Sequence, residues 1–133
     1  MANAPDSLDK MKTRYQDITA FVTRDGSVIR ELMHPEQQAK SLDCFNQSLA
    51  EATVSPGTVT KLHRHHLSEE LYHITLGQGR MTMAAESFEV GVGDTVCIPA
   101  GTPHRIENTG NHDLKILCCC APAYAHDDTE LLE

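Results

Sequence analysis

His63 and His65 stand two residues apart, Glu70 follows close behind, and His104 arrives much later in the chain. In a strand, side chains two apart project from the same face, so the two imidazoles share a direction. Glu70 can return on a neighbouring strand and His104 can come in on a later one. Three imidazoles and one carboxylate would then meet at one point. That donor set binds a divalent transition metal and leaves coordination positions open for a substrate. Imidazole ligates in its neutral form, which an unperturbed pKa of about 6.5 allows at pH 7. The plainer alternative is a pair of polar residues on a wet strand face. The alternation with Leu62 and the register with Glu70 and His104 weigh against it.

Parity also separates Glu70 from Glu69. Glu70, Tyr72, Ile74 and Leu76 fall on one largely apolar face, whereas Glu69 falls with Leu71, His73 and Thr75 on the other. A carboxylate on a buried apolar face is costly unless a positive charge neutralises it, and a divalent cation would do so. Tyr72 shares the face of Glu70. Its hydroxyl is a candidate to orient that carboxylate or to act on substrate as acid or base; a barrel-lining aromatic is the equal alternative. His104 follows Pro99-Ala100-Gly101-Thr102-Pro103, a stiff, turned approach that can hold one side chain in place.

These residues lie in two stretches that resemble the two motifs of the cupins. The first motif is a glycine, five residues, His-x-His, four residues, a glutamate, six residues and a glycine. Gly57, His63, His65, Glu70 and Gly77 match it at every step, and Glu69 would not. Gly93, Pro99, Gly101, His104 and Asn108 match the second motif without a gap. The resemblance covers Gly57 to Asn108, and the flanking strands extend it over most of the chain. It implies an all-β double-stranded β-helix, or jelly-roll barrel. It implies one divalent transition metal, Fe, Mn, Ni, Co or Zn, on His63, His65, Glu70 and His104. Metal-binding cupins include dioxygenases, isomerases, decarboxylases, lyases and hydrolases, so the resemblance does not choose a reaction. It also implies a homodimer built on short edge strands.

The elements that must position these residues are short strands. Leu8, Met11, Tyr15 and Ile18 recur at helical spacing, with Asp6 or Ser7 as a cap, so 1–19 is expected to be a helical segment. The period then changes to two. Strands are expected over 20–23 and 28–33, flanking the Asp25-Gly26 turn, and over 45–54, 58–65, 70–76, 80–84, 87–90, 95–98, 104–108 and 114–121. In 45–54 the inward face is open: either Gln47, Leu49 and Glu51 or Ala50, Ala52 and Val54. Even spacing with Gly and Pro punctuation fits an antiparallel sandwich or barrel over 20–121. The acidic tail, 122–133, is expected to be loosely ordered or to swap across a dimer.

Composition narrows the partners. The chain has 133 residues, enough for one domain with a core. Its formal net charge of −8 includes no basic cluster, which argues against nucleic acid and anionic membranes. No apolar run is long enough to span a bilayer, and the first residues lack a charged start and greasy middle, so a cytoplasmic location is expected. Five cysteines, three of them consecutive at Cys118, Cys119 and Cys120, do not make a disulfide framework. Ile116, Cys118 and Cys120 are expected inward as small hydrophobes; oxidation-sensitive or metal-competing thiols require Cys97 inward too. Met81 and Met83 are expected as core filler. Arg30 and Gln47 are candidates for a ligand's carboxylate or hydroxyl, against the commoner role of exposed strand residues. His66, His73, His112 and His126 are expected to be solvated. His34 is left open, beside Pro35 in a connection able to cover the barrel mouth. The function expected is a metal-dependent enzyme acting on a small oxygenated metabolite, a carboxylate or sugar-like compound, by oxygen-dependent cleavage or else isomerase or lyase chemistry. A non-catalytic module that binds or senses a small molecule is the alternative.

Overall fold

In the computed structural model, residues 12–37 and 46–133 are described. Eleven strands form two antiparallel sheets that face each other. The larger sheet runs β1 (Phe21–Val22), β2 (Val28–Met33), β3 (Ser48–Val54), β10 (Leu114–Ala121), β5 (Glu69–Leu76) and β8 (Thr95–Ile98), in that spatial order. The smaller runs β11 (Thr129–Leu131), β4 (His63–His65), β9 (His104–Asn108), β6 (Gln78–Met83) and β7 (Glu86–Gly91). This is the expected jelly-roll barrel.

Alternation places the core. In β10, Leu114, Ile116, Cys118 and Cys120 are buried while Lys115, Leu117, Cys119 and Ala121 face the other way. In β5, Glu70, Tyr72 and Ile74 are buried and Leu71 is exposed, although Leu76 emerges at the strand end. The open question in β3 is decided for Ala52 and Val54, which are buried, with Leu49 exposed. Ile74, Met81, Ile98, Ile106, Leu114 and Ile116 pack between the sheets, and Met83 lies partly buried against them. Each such side chain contributes about 1.5–3 kcal/mol by leaving water.

Two motif residues have structural explanations. Gly77 carries the chain from β5 to β6 with φ +81°, and a Cβ there would lie 2.6 Å from the Asp113 carbonyl oxygen. Only glycine fits this close approach. Asn108 is buried; its amide nitrogen donates to the carbonyls of Val54 (2.8 Å) and His112 (2.7 Å), and its oxygen accepts from the Gly110 amide (2.9 Å). It joins both sheets to the 109–113 turn.

The expectations are corrected at both ends. Most of the predicted helix lies outside the described residues, and within them Tyr15–Asp17 make a single 3₁₀ turn. The expected strand over 58–65 shrinks to His63–His65, with one isolated bridge from Val59 to Glu107. The tail is not loose. Thr129–Leu131 pairs antiparallel with His63–His65 of the same chain, and the Leu132 amide donates to the Leu62 carbonyl at 2.9 Å.

Candidate metal centre

The strand pairing brings the predicted donors together. His63 and His104 are direct cross-strand partners in β4 and β9, with ring centroids 4.2 Å apart. His65 projects from the same face of β4, its ring 5.3 Å from His63 and 5.6 Å from His104. One ring nitrogen from each histidine lies within 4.8 Å of the other two, and all three residues are buried. Glu70 reaches across from β5 in the facing sheet. Its Oε1 stands 3.2 Å from His65 Nε2 and 3.6 Å from His104 Nε2.

Hydrogen bonds behind the rings set their tautomers. His63 Nδ1–H donates to the Lys61 carbonyl (2.7 Å) and His104 Nδ1–H to the Thr102 carbonyl (2.9 Å). His65 Nδ1 lies 2.9 Å from Thr129 Oγ1, whose own hydrogen goes to the Ala125 carbonyl at 3.1 Å. Thr129 therefore accepts, and His65 Nδ1 is the donor. A neutral imidazole with its proton on Nδ1 carries a lone pair on Nε2. In their neutral, ligating form the three rings thus turn Nε2 lone pairs toward the interior.

In that form the lone pairs and the Glu70 carboxylate are all acceptors, with no proton among them to share. Glu70 Oε1 and His104 Nε2 are buried without a hydrogen-bond partner among the described residues; the 3.2 Å approach of His65 Nε2 lacks hydrogen-bond geometry. A cation is what such a group of acceptors fits. Ligands about 2.1 Å from an ion stand about 3.0 Å apart at a right angle and about 3.4 Å apart at the tetrahedral angle. The observed 3.2 and 3.6 Å fall close to that range.

Titration behaviour follows from burial and neighbours. Burial, with His104 nearby, lowers the His63 pKa against the opposing pull of the Lys61 carbonyl and Asp25, which keeps the ring in its ligating neutral form. Burial pushes the Glu70 carboxyl up, while a proton carried by His104 or His65 in the metal-free site pulls it down to about 2, the same attraction that a bound cation would exert. Burial, and then the Glu70 charge, raise the Tyr72 hydroxyl well above its usual range, so it is a protonated phenol.

Tyr72 is buried, lines the cavity beside the donors, and stands edge-on to His104 with ring centroids 5.8 Å apart. The hydrogen bond to Glu70 Oε2 comes instead from Cys120 Sγ, at 3.3 Å. The parity of Cys120 was legible; its contact with Glu70, its partner across β5 and β10, was not. Burial and the Glu70 charge raise the Cys120 thiol far above its usual range, so it is a neutral donor. Cys97 is exposed, so no inward cluster of all the thiols forms.

Two further residues escaped sequence reasoning. One is Thr129, in the segment expected to be loose. The other is Asp25, which carried only a turn signal, yet its Oδ2 lies 3.8 Å from His63 Nε2. The remaining candidates sit elsewhere. Arg30 packs over the Tyr15 ring, 5.0 Å from its centroid, and Gln47 is exposed and accepts from Cys119 Sγ at 3.8 Å. His66, His112 and His126 are exposed, and His73 bonds Thr95 Oγ1 at 2.8 Å on the outer face. His34 is buried and donates from Nε2 to the Tyr124 carbonyl at 2.7 Å. The cavity in front of the donors measures about 70 Å³, with Ala50, Ala52 and Ile29 on its apolar side. It suits a molecule of a few heavy atoms.

Comparison with known proteins agrees with this architecture. Residues 50–120 match the family model described as Cupin domain. The chain is 54% identical over 123 residues to an uncharacterized protein of Methanocaldococcus jannaschii, spanning 92% of this chain and 95% of that protein. It is 37% identical over 68 residues to the oxalate-binding protein of Thermotoga maritima, a match spanning 51% of this chain and 56% of that one. Among solved structures, a predicted oxalate decarboxylase from Thermotoga maritima superposes with a TM-score of 0.70 at 26% identity, over 82% of this chain and 96% of that one. Streptomyces Pac13, described as a nucleoside dehydratase, superposes with a TM-score of 0.73 over 92% of this chain and 90% of that one. At 16% identity that likeness is one of fold alone.

Proposed function

The chain belongs to the cupin domain family, and from that premise we propose that it holds one divalent transition metal on His63, His65, Glu70 and His104 and transforms a small oxygenated metabolite there. The observation that carries this is the meeting of three buried imidazoles and one buried carboxylate, with Glu70 Oε1 and His104 Nε2 unpartnered among the described residues. Iron, manganese, nickel, cobalt and zinc all suit the donor set. When bound, the ion supplies Lewis acidity, and iron would add oxygen chemistry. The protein's own residues do the rest. Thr129, Lys61 and Thr102 keep the imidazoles in one tautomer, and Cys120 steadies Glu70. Tyr72, as a neutral phenol on the cavity wall, is the group placed to give a proton to a developing oxyanion of the substrate. Ile29, Ala50 and Ala52 make one side of the cavity apolar.

Oxygen-dependent cleavage is the first reaction to test, and isomerisation or lyase chemistry the second. The substrate class is a small carboxylate or sugar-like compound. A second function, binding without turnover, is favoured by one relative's name, an oxalate-binding protein. A cytoplasmic homodimer completes the proposal. Support for it is the exposed Leu49 and Leu71 on the outer face of the larger sheet and the free state of the four described cysteines. Among the described residues, no helix is long and apolar enough to cross a membrane.

The test begins with elemental analysis of purified protein. Iron-, manganese- and zinc-loaded samples are then incubated with a catechol, β-diketone and uronic-acid panel while oxygen uptake and ultraviolet absorbance are followed. Turnover that His104→Ala abolishes, with the fold intact, is the expected result. A metal-free protein that no metal stabilises would refute the proposal, and binding without turnover would favour the second function.

A further inference from the structure

Asp25 sits in the turn between β1 and β2 and lines the cavity. One of its oxygens is locked. Oδ1 accepts from Thr23 Oγ1 (2.6 Å), the Ser27 amide (3.0 Å) and Ser27 Oγ (2.7 Å). Its backbone is pinned as well, the Asp25 carbonyl accepting from the Lys61 amide at 2.8 Å, two residues before His63. Oδ2 is left to face the donor set, 3.8 Å from His63 Nε2. The Asp25 side chain is 17% exposed, so water only partly screens it. A turn needing only Asp-Gly for its backbone would leave this carboxylate in solvent; here three hydrogen bonds aim it inward.

We propose that Asp25 sets the charge selectivity of the site: it favours ligands with at most one negative charge and a hydroxyl or amide donor, and disfavours small dianions such as oxalate. This rests on the metal-binding proposal above. The charges support it. A dication and the Glu70 carboxylate leave one net positive charge, Asp25 cancels it, and Glu31, a further buried carboxylate lining the cavity, adds nothing that draws an anion, so a dianion gains no net attraction. A monoanion with a donor group can chelate through its oxygens and give a hydrogen bond to Oδ2. Arg24, beside Asp25 on the turn, also lines the cavity, but it is exposed and its charge acts through water. At the Tyr124 hydroxyl, which lines the same cavity, the charge of Asp25 is felt more strongly than that of Arg24. A second negative charge about 6 Å from Asp25, at an effective dielectric of about 20, is disfavoured about a hundredfold. Partial exposure reduces this toward tenfold.

Oxalate and oxamate make the test. They are nearly isosteric, and oxamate replaces one carboxylate by an amide. Wild-type and Asp25→Asn proteins are loaded with Co(II), whose uptake and visible spectrum are recorded first. Both ligands are then titrated by calorimetry and by the Co(II) spectrum. Asn keeps the locked Oδ1 acceptor, and Asp25→Ser provides a second variant should the turn tolerate Asn poorly. The expected result is an unchanged stoichiometry at saturating Co(II), with the ion bound more weakly because the charge that repels a dianion also attracts a cation, and an oxalate-to-oxamate affinity ratio that rises at least about tenfold in both variants, or 1.4 kcal/mol. An unchanged ratio with metal retained would overturn the assignment, as would failure of either ligand to bind any of the proteins. Loss of metal in the variants would also overturn it, making Asp25 a ligand instead. A wild-type protein that takes up no Co(II) would instead sink the metal-binding proposal itself.

Discussion

Thr129→Val tests how the site is set. The change is nearly isosteric and removes one acceptor. In the wild type, Thr129 Oγ1 receives the His65 Nδ1 proton at 2.9 Å and passes its own hydrogen to Ala125 at 3.1 Å. Valine leaves the Nδ1–H without that partner, and an unsatisfied buried donor costs about 1–3 kcal/mol. The ring has a way out. It can move the proton to Nε2, 3.2 Å from Glu70 Oε1, and a small turn of the ring, freed from Thr129, then brings that proton onto the orphaned oxygen. The metal-free protein should therefore lose little stability, about 1 kcal/mol or less in urea unfolding. Metal binding should suffer more, because the proton now occupies the nitrogen that must ligate. Losing the partner of a ligating histidine typically weakens affinity 10–100-fold, about 1.4–2.7 kcal/mol. The assay is competition against a chromophoric chelator for Zn(II) or Co(II), beside unfolding curves of the metal-free proteins. Thr129→Ser should restore affinity. Wild-type affinity in Thr129→Val would refute the tautomer argument, and equal losses in stability and affinity would show that Thr129 acts only through packing.

Other expectations concern proton uptake and the chain's close approaches. Burial and the neighbouring His104 hold the His63 pKa below the ordinary histidine value of about 6.5 in the folded state. As pH falls through 6.5, the unfolded chain gains a proton that folded His63 refuses, so the metal-free protein should lose stability on the acid side. Melting temperature against pH should fall less steeply below 6.5 in His63→Gln; an identical slope would contradict the shift. Gly77→Ala should destabilise by about 2–4 kcal/mol in denaturant unfolding, since φ is +81° and the new Cβ meets the Asp113 carbonyl at 2.6 Å. A loss near zero would mean that the β5–β6 connection relaxes freely.

Much of the fold was legible because strand parity is local. The alternation in Leu114–Ala121 foretells which cysteines are buried, and the spacing of His63, His65 and Glu70 foretells three side chains turned inward. Segment 45–54 was not legible in the same way. Both of its faces mix apolar and polar residues, and only its place between β2 and β10, with one face turned to the other sheet, chose Ala52 and Val54. Arg30 and Gln47 were plausible ligand contacts by type alone, and the outer positions they occupy remove them from the cavity.

What the chain by itself determined is the set of inward donors and the strand-and-turn order able to bring them together, since both depend on residue type and on a period of two. What tertiary structure alone decided is the state of those donors. The acceptor behind His65 lies 64 residues away, the thiol on Glu70 lies 50 residues away, and Asp25 faces His63 from the turn between β1 and β2. No local pattern encodes such contacts, because a hydrogen bond a few ångströms long depends on where two distant strands come to rest. The tail shows the same physics. Thr129–Leu131 carries too little pattern to declare itself a strand, and becomes one because His63–His65 offers it an open edge.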